Sequence, residues 1–191
     1  GVAAVVNRVT FTGDLGYEIY VNAEDQLKLH EALAAAGGGL GLTPFGMRAM
    51  MSLRLEKNFG SWLREYRPDY TPGETGLDRF ISFNKGDFIG RQAAERERDK
   101  PGPRQLVAMV VEAEDADAWA DEPIWRDGEV VGFVTSGGYA HYVEKSVALG
   151  FVPRQLAADG EAFKIEILGH HRPARIIAEP LFDPGGSRMR G

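Results

Sequence analysis

Two hydrophobic periodicities alternate through the first hundred residues. Runs of β-branched and aromatic residues predict strands, and leucine, methionine and alanine residues at helical spacing predict helices. Asn22 opens the first helix, the glycines at 37–39 end it, and Thr43-Pro44 opens the second. The predicted elements are strands at 2–11 and 17–21 and helices at 22–36, 46–56 and 92–99.

Residues 59–76 combine prolines, glycines and aromatic side chains without a helical or strand period. A loop of that length in a compact domain usually has a function or binds a partner. Farther on, Lys100-Pro101-Gly102-Pro103 cannot continue a helix, because proline lacks the backbone N–H and clashes with the preceding turn. This segment predicts a boundary between one domain at 1–100 and another at 101–191.

The pattern after this boundary is mostly that of β-strands. Short apolar runs recur at close spacing, and Asp127-Gly128 predicts a tight hairpin. Such strands are typical of a small barrel or sandwich, so the whole chain is predicted to be α+β. The predicted strands are 106–111, 124–126, 130–136, 146–151, 163–168 and 172–178.

Composition and charge exclude several classes of function. The chain is 43% hydrophobic, and its net charge of −6 with a pI near 5.3 argues against a nucleic-acid partner. It has no cysteine, which suits the cytoplasm, or the mitochondrial matrix in a eukaryote. No apolar run approaches ~20 residues, so no membrane partner is predicted. Gly1 leads directly into an apolar run, which predicts a chain that is part of something longer.

Several motifs are predicted to be structural. His170-His171 is not predicted to bind a metal, because neighbours on a strand point to opposite faces and no further ligand is suitably spaced. The segment 136–141 lacks the Gly-Xaa-Ser-Xaa-Gly nucleophile pattern and predicts a tight turn between strands. Residues predicted to pack along the second helix, or in the core or rim of the second domain, are Met47, Met50, Met51, Trp119 and Trp125.

A dispersed set of polar and aromatic side chains is the candidate binding site. A fused-ring ligand such as a pterin needs aromatic or apolar walls and a carboxylate that accepts paired N–H groups from the ring edge. Asp14, in a glycine turn, is the candidate carboxylate. The alternative is structural: Asp14 only shapes the turn, and Arg54 pairs with Glu56. The full set is Asp14, Arg48, Arg54, Glu56, Trp62, Arg64 and Tyr66.

Six short blocks connect the chain to a known family. They are TFTGDLGYE at 10–18, SLRLEK at 52–57, TPGETGL at 71–77, DFIGR at 87–91, KSVALGFV at 145–152 and EPLFDP at 179–184. Their order resembles the folate-binding aminomethyltransferase family, which comprises the glycine-cleavage T-protein and the C-terminal folate modules of dimethylglycine and sarcosine dehydrogenases. The Arg-Leu-Glu-Lys block followed by Trp62 is more similar to the dehydrogenase modules.

The resemblance implies a cloverleaf of three subdomains around a central folate site. This chain would hold part of the middle α/β subdomain and the whole C-terminal six-stranded β-barrel. In the family, an acidic residue of the glycine turn, usually glutamate, binds the pterin edge. Asp14 occupies that position in this chain. Met50 and Met51 replace an arginine–aspartate pair, so that arginine contact is not carried over, and Arg48 is the candidate substitute. The implied folate-binding residues are Asp14, Arg48, Arg54, Trp62 and Tyr66.

The implied chemistry transfers a one-carbon unit from an aminomethyl or methylated-amine donor to N5 of tetrahydrofolate. The family's catalytic acid lies in its N-terminal portion, and no residue of this chain matches it, so no catalytic residue is predicted here. The implied partners are folate, a small amine or aminomethyl donor and the N-terminal remainder of the protein, with FAD only in an upstream domain. The alternative is a non-catalytic folate-family binding or regulatory module. The changes at Asp14 and Met50 favour this alternative, whereas the retained glycine turn, Arg54 and Trp62 favour the transfer module.

Overall fold

The computed structural model describes all 191 residues, in four helices and eight strands. The helices are α1 (Gln26–Gly37), α2 (Met47–Glu56), α3 (Pro72–Thr75) and α4 (Arg91–Asp99). The first four strands are β1 (Val5–Asn7), β2 (Glu18–Tyr20), β3 (Arg104–Val111) and β4 (Pro123–Arg126). The last four are β5 (Glu129–Ala140), β6 (Lys145–Pro153), β7 (Ala162–Ile167) and β8 (His170–Ile177).

Strands β3 to β8 form a closed antiparallel barrel in the order β3-β6-β5-β4-β7-β8. The predicted α+β class with a six-stranded barrel is therefore confirmed, and the barrel replaces the sandwich alternative. At the β4–β5 hairpin, Asp127 and Gly128 have φ values of 52° and 86°. Both residues are in the left-handed region that a tight two-residue turn requires, which explains the Asp-Gly sequence there.

Alternation along the strands divides the barrel residues between two hydrophobic clusters. Val107, Met109 and Val111 of β3 belong to the barrel core. Ala108, between them, belongs to a second cluster that includes Leu55 of α2. Because successive side chains of a strand point to opposite faces, the first set fills the barrel and the second forms an outer apolar surface. Helix α2 is thereby held against the outside of the barrel.

Strand β5 is longer than the sequence predicts. It continues through residues 136–140, where the sequence predicts a tight turn. The turn instead follows Ala140. An irregularity in the pairing with β6, between Val134 and Ser136, changes the register. Gly137 and Gly138 allow neighbouring elements to pack closely against this strand, and the strand continues through both residues. The turn prediction was therefore wrong.

The two N-terminal strands are shorter than predicted. β1 and β2 pair over three residues, from Val5 opposite Tyr20 to Asn7 opposite Glu18. The intervening segment leaves the sheet and packs as an irregular turn against Lys57, as the near contact of Gly13 with that side chain shows. Helix α1 beside them contains no buried residue. This part of the chain therefore presents much of its apolar surface to solvent.

Residues 100–103 form neither helix nor strand and lie between α4 and β3. The division into domains 1–100 and 101–191 stays a prediction, since the contacts of α2 with the barrel cross it. Among the helices, none has both the length and the apolar character needed to cross a membrane.

Candidate functional site

A cleft of about 510 Å³ lies between α2 and the last third of β5. Its walls combine apolar, aromatic and basic side chains, with one carboxylate, Asp117. The α2 wall and the adjacent loop contribute Met47, Arg48, Met51, Ser52, Arg54, Leu55 and Arg64. The barrel wall contributes Asp117, Trp119, Ala120, Thr135, Ser136, Gly137, Gly138, Tyr139 and His141.

Helical spacing places the α2 residues of the cleft on one side. Met47, Met51 and Leu55 are four residues apart, so their side chains follow one another along the same face. Next to them, the hydroxyl of Ser52 donates a 2.7 Å hydrogen bond to the carbonyl oxygen of Tyr139. This bond fixes the separation of helix and strand. Met47 and Met51 line the cleft. Met47 is exposed, so the prediction that Met47, Met50 and Met51 pack along the helix was wrong for Met47.

The barrel wall depends on a glycine. A Cβ atom at Gly137 would lie 2.3 Å from the carbonyl oxygen of Ala118, so only glycine allows that loop to approach β5 so closely. The approach brings Trp119 to the cleft, where most of its side chain is exposed. Tyr139 and His141 meet edge to face, with ring centroids 5.0 Å apart. The cleft therefore has aromatic surfaces available for stacking on a planar ligand.

A buried polar network supports the floor of the cleft. Arg54 is 1% exposed and its Nη1 lies 3.5 Å from an oxygen of Glu65, which is fully buried. Glu65 also accepts hydrogen bonds from the Ser136 hydroxyl at 2.5 Å and from the backbone N–H of Ser61 at 2.8 Å. The network therefore connects α2, the following loop and β5, and holds Arg54 in place.

The partner of Arg54 differs from the predicted one. Glu56, the predicted ion-pair partner, instead accepts the backbone N–H of Tyr142 at 2.9 Å. Since Arg54 and Glu56 are two residues apart on a helix, they face different directions, and Glu65 from the loop takes the pairing. Burial lowers the pKa of the Arg54 guanidinium, and the Glu65 carboxylate opposes that shift. The Nε atom of Arg54 is buried without a hydrogen-bond partner.

The cleft carries excess positive charge at its rim. Arg64 lies 3.7 Å from Asp121, and both side chains are largely exposed, so their attraction is screened by water. Arg54 is compensated by Glu65, which leaves Arg48 as the arginine of the cleft without an ion-pair partner. Asp117, the one carboxylate of the cleft, accepts a 2.9 Å hydrogen bond from Ser146. The rim therefore suits an anionic ligand group.

Asp14 lies outside this cleft, near the C-terminal end of α2. Gly13 has a φ of 91° and packs directly against Lys57, the residue after α2. The hydroxyl oxygen of Thr10 accepts the Gly13 N–H at 3.1 Å and closes the turn. The half-exposed Asp14 carboxylate accepts a 2.5 Å hydrogen bond from Nε of Arg188. The turn thus holds Asp14 at the surface, in contact with the C-terminal segment.

Lys57 joins the turn to that segment. It is almost fully buried, and its Nζ donates to the carbonyl oxygens of Phe182 at 3.2 Å and Asp183 at 2.6 Å. The Asp183 carboxylate accepts from Ser187, through both its hydroxyl and its backbone N–H. These bonds keep the segment 182–188 against α2 and bring Arg188 within reach of Asp14.

The other two predicted site residues lie elsewhere. Trp62 is 83% exposed, and it lines none of the major cavities. The hydroxyl oxygen of Tyr66 accepts the backbone N–H of Gly60 at 3.1 Å, and its side chain borders a different cavity, of about 300 Å³. The structure therefore brings Arg48 and Arg54 together in one cleft and places Asp14, Trp62 and Tyr66 outside it. Their roles as ligand contacts stay predictions.

The sequence prediction missed part of the cleft wall. The sequence predicts Trp119 in a core or rim and gives Tyr139 and His141 no binding role. A signal was present in the paired glycines 137 and 138, because glycines inside a strand mark a close approach of another backbone or a ligand.

No group of three or more histidine, aspartate or glutamate side chains is arranged to hold a metal ion. His171 lies 3.6 Å from Glu166 and stacks on Trp125.

Comparisons with known proteins agree on one family. The family model of the GCVT N-terminal domain matches residues 1–85, and that of the glycine cleavage T-protein C-terminal barrel domain matches residues 104–183. Mitochondrial dimethylglycine dehydrogenase of Homo sapiens is 43% identical over 186 residues, which are 96% of this chain and 22% of that protein. An aminomethyltransferase of Desulfitobacterium hafniense is 35% identical over 186 residues, 97% of this chain and 51% of that protein.

The fold gives the same answer. The crystal structure of glycine cleavage system aminomethyltransferase T from Bartonella henselae superposes with a TM-score of 0.83 at 26% identity, over 94% of this chain and 50% of that one. The chain thus spans about half the length of these aminomethyltransferases, and a smaller share of the dehydrogenase. The higher identity to the dehydrogenase agrees with the resemblance predicted from the Arg-Leu-Glu-Lys block. The chain therefore belongs to the glycine cleavage T-protein family.

Proposed function

We propose that this chain is a tetrahydrofolate-binding module that takes part in the transfer of a one-carbon unit from an aminomethyl or methylated-amine donor to tetrahydrofolate. The observation that carries the proposal is the arrangement along α2. An aromatic, basic-rimmed cleft borders the helix, and an acidic turn lies at its C-terminal end. Family membership supports the same chemistry.

Asp14 is proposed to bind the pterin edge. A carboxylate accepts two parallel N–H groups, and a pterin offers such a pair on its amino-pyrimidine ring. Asp14 is half-exposed and its turn is held by Thr10 and by the packing of Gly13 on Lys57. A carboxylate in a fixed turn loses little freedom when it binds a ligand, which favours affinity.

The cleft is proposed to hold the rest of the ligand. Trp119 and Tyr139 provide aromatic surface, Met51 and Leu55 provide apolar surface, and Arg48 provides an unpaired positive charge. Its volume of about 510 Å³ is within the range of small-molecule sites. Arg54 then acts from the floor, held by Glu65. Trp62, being exposed, is free to contribute a wall from the adjacent loop.

Tetrahydrofolate, when bound, supplies the amine nitrogen that accepts the one-carbon unit. The task of this chain's residues is to bind and orient it, since holding two reactants in the correct geometry accounts for much of the acceleration of such a reaction. The catalytic acid predicted for the N-terminal portion of the family is not assigned to any residue here. FAD was predicted only for an upstream domain, if one is present, and has no role in this proposal.

The exposed apolar face of the first part is proposed to pack against further subdomains of a T-protein-type fold. The relatives are longer than this chain, which covers 51% of the aminomethyltransferase and 22% of the dehydrogenase. Exposed apolar side chains of this part include Tyr17, Tyr20, Leu27 and Leu33, and two of them, Tyr20 and Leu33, line the same surface cavity. Clustered exposed apolar surface is typical of an interface.

Calorimetric titration of the purified protein with tetrahydrofolate tests the proposal. We expect measurable binding, and Asp14→Asn should weaken it about tenfold or more, because the amide cannot accept both N–H groups and carries no charge. Asp69→Asn is the matched control, since Asp69 forms a comparable exposed ion pair with Arg67 and neither residue lines the described cavities. Absence of binding by the wild-type protein would contradict the proposed function. Equal affinities with intact folding would remove Asp14 from the site and favour the non-catalytic alternative.

A further inference from the structure

A second cavity, of about 460 Å³, lies on the barrel between the β4–β5 hairpin and the start of β7. It shares no lining residue with the cleft beside α2, so it is separate from the proposed folate site. We infer that this cavity binds a nucleoside monophosphate, a ligand with a planar heteroaromatic ring, hydroxyl donors and an anionic group. Its volume is within the range of small-molecule sites.

The cavity lies where the barrel has its shortest strand pairing. β4 pairs with β7 only at Ile124 opposite Ile165 and at Trp125 opposite Lys164. Every other pair of neighbouring barrel strands is matched at four or more positions. The residues that follow Trp125 and those that precede Lys164 line the cavity. A ligand can therefore enter between the two strands without breaking their pairing.

Trp125 and His171 form an aromatic platform on the outer face of the barrel. Alternate residues of β7 fill the barrel core, so Lys164 and Glu166, between them, point outwards. Trp125 is opposite Lys164 in the register, and His171 is opposite Glu166, so all four side chains share that outer face. The centroids of the Trp125 and His171 rings lie 4.9 Å apart. Both rings border the cavity.

Glu166 fixes this platform. Its Oε2 accepts the indole N–H of Trp125 at 3.0 Å and lies 3.6 Å from Nε2 of His171. Because the indole N–H is already bonded, Trp125 offers the cavity its ring surface and not its polar edge. A nucleobase of any kind has a π-face that can stack on such a surface. The platform therefore suits the ring of the ligand.

The charged groups of the cavity lie at two ends. At the hairpin end Arg126 pairs with Glu161, and its Nε lies 3.7 Å from Oδ2 of Asp127, so two carboxylates share one guanidinium. At the platform end Lys164 lines the cavity, and none of the ion pairs around the cavity includes its ammonium group. Lys164 and Glu161 are three residues apart, roughly 10 Å along an extended chain. An anionic group therefore fits at Lys164, and hydroxyl donors fit at the carboxylates.

These three features together favour a nucleoside monophosphate. The base stacks on the platform, the phosphate meets the ammonium group of Lys164, and the ribose hydroxyls donate to Glu161 and Asp127. An aromatic carboxylate has the ring and the charge but lacks the hydroxyl donors. A nucleic-acid strand is not expected, because one unpaired lysine cannot neutralise a run of phosphates.

The fluorescence of Trp125 tests this site directly. The chain has three tryptophans, so Trp62→Phe with Trp119→Phe leaves Trp125 as the one indole reporter. We expect AMP to quench its fluorescence, and adenosine, which lacks the phosphate, and ribose 5-phosphate, which lacks the base, to bind more weakly. Lys164→Met should lower the affinity for AMP about twofold to fivefold and leave adenosine binding unchanged. Lys145→Met is the matched control, because Lys145 is an exposed lysine of β6 that lines none of the described cavities.

Calorimetry on the wild-type protein makes the same comparison without the tryptophan substitutions. Absence of AMP binding in both measurements would overturn the inference. Equal affinities for AMP and adenosine, or equal effects of Lys164→Met and Lys145→Met, would remove the phosphate contact and overturn it as well. Ribose 5-phosphate bound as tightly as AMP would remove the stacking contact, with the same consequence. Saturating tetrahydrofolate should not displace AMP. Displacement would place the nucleotide in the cleft beside α2 and overturn the second site, whereas absence of tetrahydrofolate binding would contradict only the proposed function.

Discussion

Nε of Arg188 lies 2.5 Å from Oδ1 of Asp14, so a residue close to the C-terminus holds the carboxylate of the N-terminal glycine turn. The hydrogen bond to Asp14 raises the pKa of the Arg188 guanidinium, and the charge of Asp14 adds to the effect. Asp14 thus has an internal cationic partner at the position proposed for the pterin edge. A ligand that uses this carboxylate has to share it with Arg188 or displace it.

Replacing Arg188 distinguishes sharing from displacement. Arg188→Met keeps an unbranched apolar stem and removes the competing donors, so we expect tetrahydrofolate affinity to rise by a few-fold in a calorimetric titration. The gain should be modest because both partners are exposed and water screens their attraction. Arg67→Met, which breaks the exposed pair with Asp69, should not change the affinity. Weaker binding by Arg188→Met would show that Arg188 holds the ligand together with Asp14.

Glu65 is the central acceptor of the network below the cleft. Glu65→Gln removes the charge opposite the buried Arg54 and one of the acceptor oxygens used by Ser61 and Ser136. Since an uncompensated buried charge is strongly destabilising, we expect the free energy of unfolding to fall by about 3–5 kcal/mol, measured by chemical denaturation. Glu95→Gln, in the surface pair with Arg91, should cost less than about 1 kcal/mol. Equal effects of the two substitutions would contradict a structural role for this network.

The barrel was predictable because its signals are local. The short apolar run of β3 and the Asp127-Gly128 turn each depend on a few neighbouring residues, and the structure has both. The extent of β5 was not predictable in the same way. Gly137 resembles a turn residue in sequence, and its actual role depends on Ala118, which reaches it only in the folded barrel.

The candidate site was predicted only in part for the same reason. Arg48 and Arg54 are six residues apart on one predicted helix, about 9 Å along its axis, so a short pattern places them on the same element. The pairing of Arg54 with Glu65, and of Asp14 with Arg188, joins segments that no short pattern connects. Trp119 enters the cleft through tertiary packing, so its sequence neighbourhood gave no sign of it.

Gly137 is expected to set the shape of the cleft. In Gly137→Ala the new methyl group meets the carbonyl oxygen of Ala118 at 2.3 Å, so the loop that carries Trp119 has to move away. Overpacking of this kind destabilises by about 1–3 kcal/mol, and ligand affinity should fall with it. Gly38→Ala is the control, because a Cβ there meets nothing within 4 Å and its backbone is helical. An unchanged melting temperature for Gly137→Ala would show that the loop adapts freely.

The exposed leucines of α1 are expected to cause self-association. Leu27 is 66% exposed and Leu33 46% exposed, on a helix without any buried residue. We expect concentration-dependent association in sedimentation velocity, reduced by the double substitution Leu27→Glu with Leu33→Glu. Lys28→Glu changes the net charge by the same two units and removes no apolar side chain, so it is the control and should have little effect. A monodisperse monomer at high concentration would contradict the expectation.

Asp183 is expected to make the docking of the C-terminal segment sensitive to acid. The Ser187 hydroxyl, the backbone N–H groups of Ser187 and Arg188 and the charge of Lys57 lower the pKa of Asp183 from 3.8 to about 2, with the hydroxyl bond the largest contribution and desolvation opposing it. A lowered pKa means that the folded state favours the ionised carboxylate. The stabilisation is therefore complete above the unfolded-state pKa and is lost as the pH falls through the folded-state pKa.

The measurement is the difference in melting temperature between the wild-type protein and Asp183→Asn as a function of pH. We expect the wild-type protein to be more stable at neutral pH, and the difference should shrink between pH 3.8 and about 2, the interval set by the two pKa values. Asp69→Asn, in an exposed pair, should show a smaller difference throughout. Because Asp183 helps to position the segment that carries Arg188, the same acid range should release Arg188 from Asp14. A difference that does not change with pH would show that Asp183 stabilises the segment through its shape and hydrogen bonds alone, without its charge.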